Sequence, residues 1–209
     1  MGEKVYLYPV WIRLWHLLNA LLCLILIATG LSLQYSEPGS GFIRFDVAVS
    51  IHNVCGIILS VNYFFFLLGN LFTRNGRHYR LEPIGLINRL WKQFRYYSWG
   101  YFKNEKPPFP VGKAMKFNPL QKVAYAFVMY LFVPIVIITG WAMIFPDIII
   151  DEYLGINGFW ATDLLHILSA FVVSVFLIIH LYFSTMGHTP TAHFKSIISG
   201  YHEEEGEDN

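Results

Sequence analysis

Residues 159–184 read FWATDLLHILSAFVVSVFLIIHLYFS. A helix that crosses a bilayer needs about 20 mainly apolar residues, and this run is long enough. It also carries two histidines, His166 and His180. An ionisable side chain in lipid is costly, so by default it lines a path or holds a cofactor. The two are separated by 180 − 166 = 14 residues. That is close to four whole helical turns, which puts both on nearly one face, about 21 Å apart along the axis. One histidine therefore lies near each side of a membrane.

Three more runs match this one in length and character: residues 9–33, 47–72 and 119–145. Pro134 interrupts the third and predicts a kink, which packed neighbours tolerate. Charged residues make up 14% of the chain. Soluble domains carry about 25%, so the composition points to a membrane protein and away from a soluble or nucleic-acid-binding one. The only cysteines, Cys23 and Cys55, lie in apolar runs and form no CxxC or CxxCH. Zinc, iron–sulfur and covalently attached c-type haem sites lack their ligands, and both cysteines read as small buried hydrophobes. The first run has no short apolar core followed by a small-residue cleavage site, so it is expected to stay as a helix.

Lys and Arg set the expected direction. The connector 73–118 holds ten of them, from Arg74 to Lys116, while the loop after the first run has only Arg44. The loop after the third run has none and carries Asp147, Asp151 and Glu152. The reading is an all-α integral membrane protein, a four-transmembrane-helix bundle with both termini cytoplasmic. Within the connector, Ile84, Ile87, Leu90, Trp91, Phe94 and Tyr97 recur at helical spacing between basic residues. This predicts an amphipathic interfacial helix between spans two and three: an anchor, the wall of a quinone entrance or a partner surface. The acidic tail 203–209 reads as disordered.

Depth then pairs the histidines. His16 begins an outward span and His180 ends an inward one, so both are inner. His52 and His166 begin inward spans, so both are outer. The opposite pairing stretches each pair across the membrane. Two imidazoles on opposite faces of an iron leave no open position, which suits electron transfer rather than oxygen chemistry. Each neutral ring should give its other N–H to a carbonyl or side chain. Taken singly, a histidine in an apolar helix is more often a satisfied core residue; four at matching depths favour two haems. His78, His188, His193 and His202 lie outside the spans and read as solvated, polar or proton-handling groups. Gly30, Gly56 and Gly140 can admit a flat macrocycle or a neighbouring helix. Arg13 and Arg44 can pair with the inner and outer haem propionates, or stand as plain interface residues.

The residues also carry a resemblance. RLWHLLNA around His16, SIHNVCGI around His52, KFNPLQKVAYA entering the third span, IITG at its far end and DLLH(x13)H in the fourth resemble the diheme cytochrome b subunits of nickel–iron hydrogenases, formate dehydrogenases and thiosulfate reductases. YPVWIRLWH and FNPLQK look nearest to the thiosulfate-reductase-like branch. The resemblance implies one cytochrome b membrane domain over residues 1–209, in a bacterial cytoplasmic (inner) membrane. It implies two haems b, the inner on His16 and His180 and the outer on His52 and His166, as depth gave. It further implies quinone or menaquinone at the cytoplasmic end beside an Asn-x-Gly-Gln-Lys motif. Asn118, Gln121 and Lys122 match that motif, and Leu120 replaces its glycine. An oxidoreductase, iron–sulfur or c-type cytochrome subunit is expected on the outer face, docked on the loops 34–46 and 146–160. No nucleophile–base pair, phosphate loop or molybdenum or nickel ligand set is present, so no stand-alone substrate chemistry is expected. Two alternatives stay open: an anchor passing electrons to a multihaem c-type cytochrome, and a non-haem proton-coupled transporter with the histidines as a relay.

Overall fold

The structure is a computed structural model and describes residues 4–35, 43–112, 115–153, 155–186 and 189–203. Its frame is four long apolar helices. The first two are α1 (Val10–Tyr35) and α2 (Phe45–Phe72). The third span is split into α4 (Pro119–Phe127), a π turn (Val128–Phe132) and α5 (Val133–Ile144). The fourth is α6 (Gly158–Ser184). All four are long and apolar enough to cross a membrane. In lipid a helix pairs its backbone groups within itself, so an apolar sequence of this length has no competing open-edged alternative.

The chain falls into two compact units. The first gathers residues 1–13, 69–128 and 179–209, and the second residues 14–68 and 129–178. Each is described by itself.

In the second unit, the break in the third span has a local cause. An i→i+5 register would send the Met129 carbonyl to residue 134, which is proline and has no N–H. The Tyr63 hydroxyl of α2 donates to that carbonyl at 2.7 Å, in a buried position. A neighbouring helix thus supplies the hydrogen bond the proline removes. Trp15 ties α1 to α2 in the same unit, donating through Nε1 to the Asn62 carbonyl (3.1 Å) and stacking on Phe66 at 4.5 Å. A two-residue ladder, β2 (Glu152–Tyr153) with β3 (Ile156–Asn157), turns the chain between α5 and α6.

In the first unit, β1 (Lys4–Tyr6) pairs antiparallel with β4 (Tyr201–Glu203), Val5 facing His202. Gly200, at φ +90°, ends α7 (Ala192–Ser199) and turns the chain into β4. Its carbonyl accepts the N–H groups of Leu7 and Tyr8 at 3.0 and 3.1 Å. Glu203, expected to begin a disordered tail, instead closes this ladder opposite Lys4. The rest of that tail lies outside the described residues, as do residues 36–42 and Leu154 of the expected docking loops, and His188.

The connector forms a short 3-10 turn (Arg74–Tyr79) and α3 (Leu86–Arg95), which packs along α4. The expected single apolar stripe on α3 is divided. Leu90 and Tyr97 are half-buried and Gln93 is fully buried, while Ile84 is 90% and Ile87 84% exposed. One flank of the helix packs on α4, and the apolar residues that do not fit that flank fall on the other.

Candidate haem site

The second unit builds one arrangement twice. Near the end of α1, Thr29 is buried and its hydroxyl donates to the Ile25 carbonyl at 2.8 Å. The same Oγ1 lies 2.9 Å from Nδ1 of His52 on α2. Near the end of α5, buried Thr139 donates to the Ile135 carbonyl at 2.6 Å, and its Oγ1 lies 2.9 Å from Nδ1 of His166 on α6. Threonine in a helix commonly bonds the carbonyl one turn back. A hydroxyl has one proton. With that proton on a carbonyl, Oγ1 accepts from each histidine, so the proton of each neutral ring sits on Nδ1. The Nε2 lone pairs of His52 and His166 are left for another partner.

The glycines that follow make room for these rings. A Cβ on Gly30 would lie 3.4 Å from Cε1 of His52, and one on Gly140 would lie 3.3 Å from Cε1 of His166. Both glycines therefore seat an imidazole, a role the sequence reading did not give them. A Cβ on Gly56 would meet nothing within 4 Å.

The two seated rings are neighbours, one edge-on to the other. Their centroids are 6.2 Å apart and their planes are inclined by 67°. Two metal–nitrogen bonds of about 2.0 Å each, with the ring radii added, span roughly 6 Å. The donor set fits an iron held between two imidazoles. Among the described residues no cluster of three or more His, Cys, Asp and Glu could hold a bare metal ion. A porphyrin fits this, because it brings four ligands of its own and asks the protein for only two.

The other sequence-marked residues are placed as follows. His16 is in the second unit, with the Trp15 ring edge-on at 6.5 Å. His180 is in the first unit, where its Nδ1 lies 3.3 Å from the Tyr125 hydroxyl. Arg13, also in the first unit, has a buried Nε with no hydrogen-bond partner among the described residues. Arg44 is largely exposed and paired with Asp46 at 2.7 Å. Asn118 caps α4: its side chain accepts the Gln121 N–H at 3.0 Å, and Gln121 Oε1 accepts the Asn118 N–H at 3.1 Å. Asn118 Nδ2 also donates to the Tyr97 hydroxyl at 2.7 Å. Lys122 pairs with Glu82 at 3.3 Å.

Around this capped start the first unit is polar. Lys116 is buried, donates to Asn75 Oδ1 at 3.0 Å and lies 4.8 Å from the Tyr8 ring centre. Burial pulls its ammonium down to about 8 and pushes the Tyr8 phenol up to about 12. His78, edge-on to Phe117, is driven down to about 4 by burial and then by the charges of Lys116, Arg77 and Lys122. It is neutral at pH 7. His193 and His202 stack at 6.1 Å, and His202 is buried against Ser196 rather than solvated.

Sequence reasoning sets Thr29-Gly30 and Thr139-Gly140 at matching outer ends of the first and third spans but gives the two hydroxyls no role. The signal was present: Ala28-Thr29-Gly30 and Ile138-Thr139-Gly140 occupy like positions in the first and third spans.

The family model for prokaryotic cytochrome b561 matches residues 7–200. The chain belongs to the prokaryotic cytochrome b561 family. It is similar to the putative cytochrome YdhU of Escherichia coli, with 41% identity over 96% of this chain and 76% of that protein. It is similar, at 30% identity over 86% of this chain and 73% of the relative, to a probable Ni/Fe-hydrogenase B-type cytochrome subunit of Rhodobacter capsulatus. A protein of the same description in Cupriavidus necator is 28% identical over 86% of this chain and 78% of its own. No solved structure matches. The cytochrome is thus a multi-pass bacterial membrane protein of the b type that works in electron transfer. Membership implies haem b, and His52 and His166 are the pair that the geometry fits to it.

Proposed function

We propose that this cytochrome is a diheme electron-transfer and anchor subunit of a respiratory complex in the bacterial inner membrane. It passes electrons between the quinone pool at the cytoplasmic side and a redox partner subunit on the outer, periplasmic face. The observation that carries the reading is the neighbouring pair of imidazoles, 6.2 Å apart, each with its Nδ1 held by a threonine. When bound, haem supplies a one-electron couple with no open coordination position.

The chain's own residues divide the remaining work. His52 and His166 hold the outer haem, and Thr29 and Thr139 keep each ring turned with Nε2 inward. His16 and His180 hold the inner haem; this second pair rests on depth in the sequence. Arg13, whose buried Nε is an orphaned donor, suits an inner-haem propionate. The surplus of Lys and Arg in residues 73–118 supports placing both termini in the cytoplasm. Lys122, with Asn118 and Gln121 fixing the start of α4, forms the quinone-side contact. The two relatives described as hydrogenase cytochrome subunits support an oxidoreductase partner, with the loops 34–46 and 146–160 as its docking surface.

The test is haem counting on purified protein. Two haems b per chain are expected, with His166→Ala and His180→Ala each losing one. A single haem in the wild type, or two retained in both variants, overturns the diheme reading. Lys122→Ala should slow quinol oxidation with both haems kept; unchanged quinol kinetics remove the proposed contact.

A further inference from the structure

The outward face of α3 is the most exposed apolar surface in the first unit that no span accounts for. Ile84 and Ile87 are almost fully exposed, and Trp91 is 64% exposed and stacked on Phe94 at 5.8 Å. Trp99 and Phe102 continue the face beyond the helix, at 63% and 66% exposure. A shallow apolar groove runs between Pro83, Ile87 and Trp91. The opposite side of the same helix is committed to protein, since Gln93 is buried and Tyr97 meets Asn118 at the first turn of α4.

Two observations identify what covers the exposed side. First, α3 packs on the start of a membrane span, so its free face lies at the level where that span meets the headgroups. Trp and Phe mixed with aliphatic residues suit that level, where one end of a side chain is dry and the other wet. Second, the rim is basic. Lys92 is exposed and makes no ion pair among the described residues. The Lys103 ammonium lies over the Trp99 ring, 5.3 Å from its centre. Arg95 adds a third cation, loosely paired with Glu105 at 3.6 Å. Arg89 is not available to a ligand, because its guanidinium donates to the carbonyls of Ile84 and Glu82. It locks the turn that leads into the helix.

We infer that the outer face of α3 and the turn to Lys103 is a binding surface for the anionic phospholipid of the adjoining leaflet, with Ile84, Ile87 and Trp91 in the acyl boundary and Lys92 and Lys103 on headgroup phosphates. The inference goes beyond the proposed electron path and borrows from it only which leaflet is meant, the cytoplasmic one. A bilayer surface attracts such cations when its lipids are acidic and releases them when neutral.

The experiment uses the full chain in phosphatidylcholine vesicles with and without phosphatidylglycerol. Ile87→Cys, in a background with Cys23→Ala and Cys55→Ala, carries a nitroxide. Oxygen, which concentrates in lipid, should relax the label more than a water-soluble nickel chelate does. Stronger relaxation by the chelate means a solvated face, and exclusion of both reagents means a protein partner or a second copy; either overturns the inference. For the headgroups, spin-labelled phosphatidylglycerol should associate several-fold more than spin-labelled phosphatidylcholine. Lys92→Gln with Lys103→Gln should bring that ratio close to one, since each cation near the surface accounts for a factor of up to about five. Equal association of the two lipids with the wild type, or a ratio untouched by the double variant, overturns the anionic part. Haem content, read from the visible spectrum of the same samples, stays unchanged and keeps this test separate from the haem reading.

Discussion

Replacing Thr139 with valine removes one oxygen and almost no volume. In the structure that oxygen accepts Nδ1–H of His166 at 2.9 Å, in a buried position. The variant leaves the ring N–H only the Val136 carbonyl as acceptor, at a cost of about 0.5–1.5 kcal/mol. Loss of an outer-shell partner of a metal-bound histidine typically lowers metal affinity by about 10–100-fold, roughly 1.4–2.8 kcal/mol. The two estimates overlap. They predict reduced haem retention in detergent for Thr139→Val and near-normal retention for Thr139→Ser, which keeps the hydroxyl. The bond to Nδ1–H also makes the imidazole a stronger donor, which favours ferric iron. Its removal should raise the midpoint potential of one couple by roughly 20–60 mV. Thr29→Val should raise the same couple by a similar amount, because His52 is held in the same way at the same distance. The assay is an optical redox titration of both variants beside a haem count. Wild-type potentials and haem content in both valine variants would refute the seating argument; shifts in two different couples would refute the pairing of His52 with His166.

Tyr63→Phe leaves the buried Met129 carbonyl without its donor. A loss of about 1–3 kcal/mol in resistance to unfolding by denaturing detergent is expected; an unaltered unfolding curve would show that the π turn finds its own partner. Gly69→Ala places a Cβ 2.6 Å from the Trp11 ring and should destabilise the first unit by about 1–3 kcal/mol, seen as a lower melting temperature. Lys116 titrates lower in the folded chain, at about 8, than when unfolded. Between pH 8 and its ordinary value the unfolded chain binds the extra proton, so stability should rise with pH across that window. Lys116→Met should flatten that rise, and an identical pH profile in both proteins would put the buried charge elsewhere.

Much of this molecule could be read before any coordinates. Apolar length gave the four spans because, in lipid, few other folds satisfy the backbone. Spacing put His166 and His180 on one face because the helix has a fixed pitch. What could not be read depends on which side chains meet across helices. Thr29 and Thr139 look like ordinary span residues until their hydroxyls are seen on His52 and His166. Asn118 and Gln121 suggested a quinone contact by resemblance, while their side chains are engaged in capping α4. Asn118 followed three residues later by Gln121, with Pro119 between, is also a capping-box pattern, so the capping role was legible beside the resemblance. The apolar residues of α3 have a helical period, but period does not say which flank a neighbouring span will occupy. The thiosulfate-reductase-like placement drawn from YPVWIRLWH and FNPLQK is finer than the family match and is not confirmed by it.

The β1–β4 ladder has a consequence for how the chain is made. Lys4–Tyr6 can find its mate only when Tyr201–Glu203 has been synthesised, nearly 200 residues later. At ribosomal speed that is an interval of about 10–40 s, during which all four spans are inserted. The opening segment waits at the membrane with its strand groups facing water, and its zipping with the last segment comes at the end of assembly rather than as its seed.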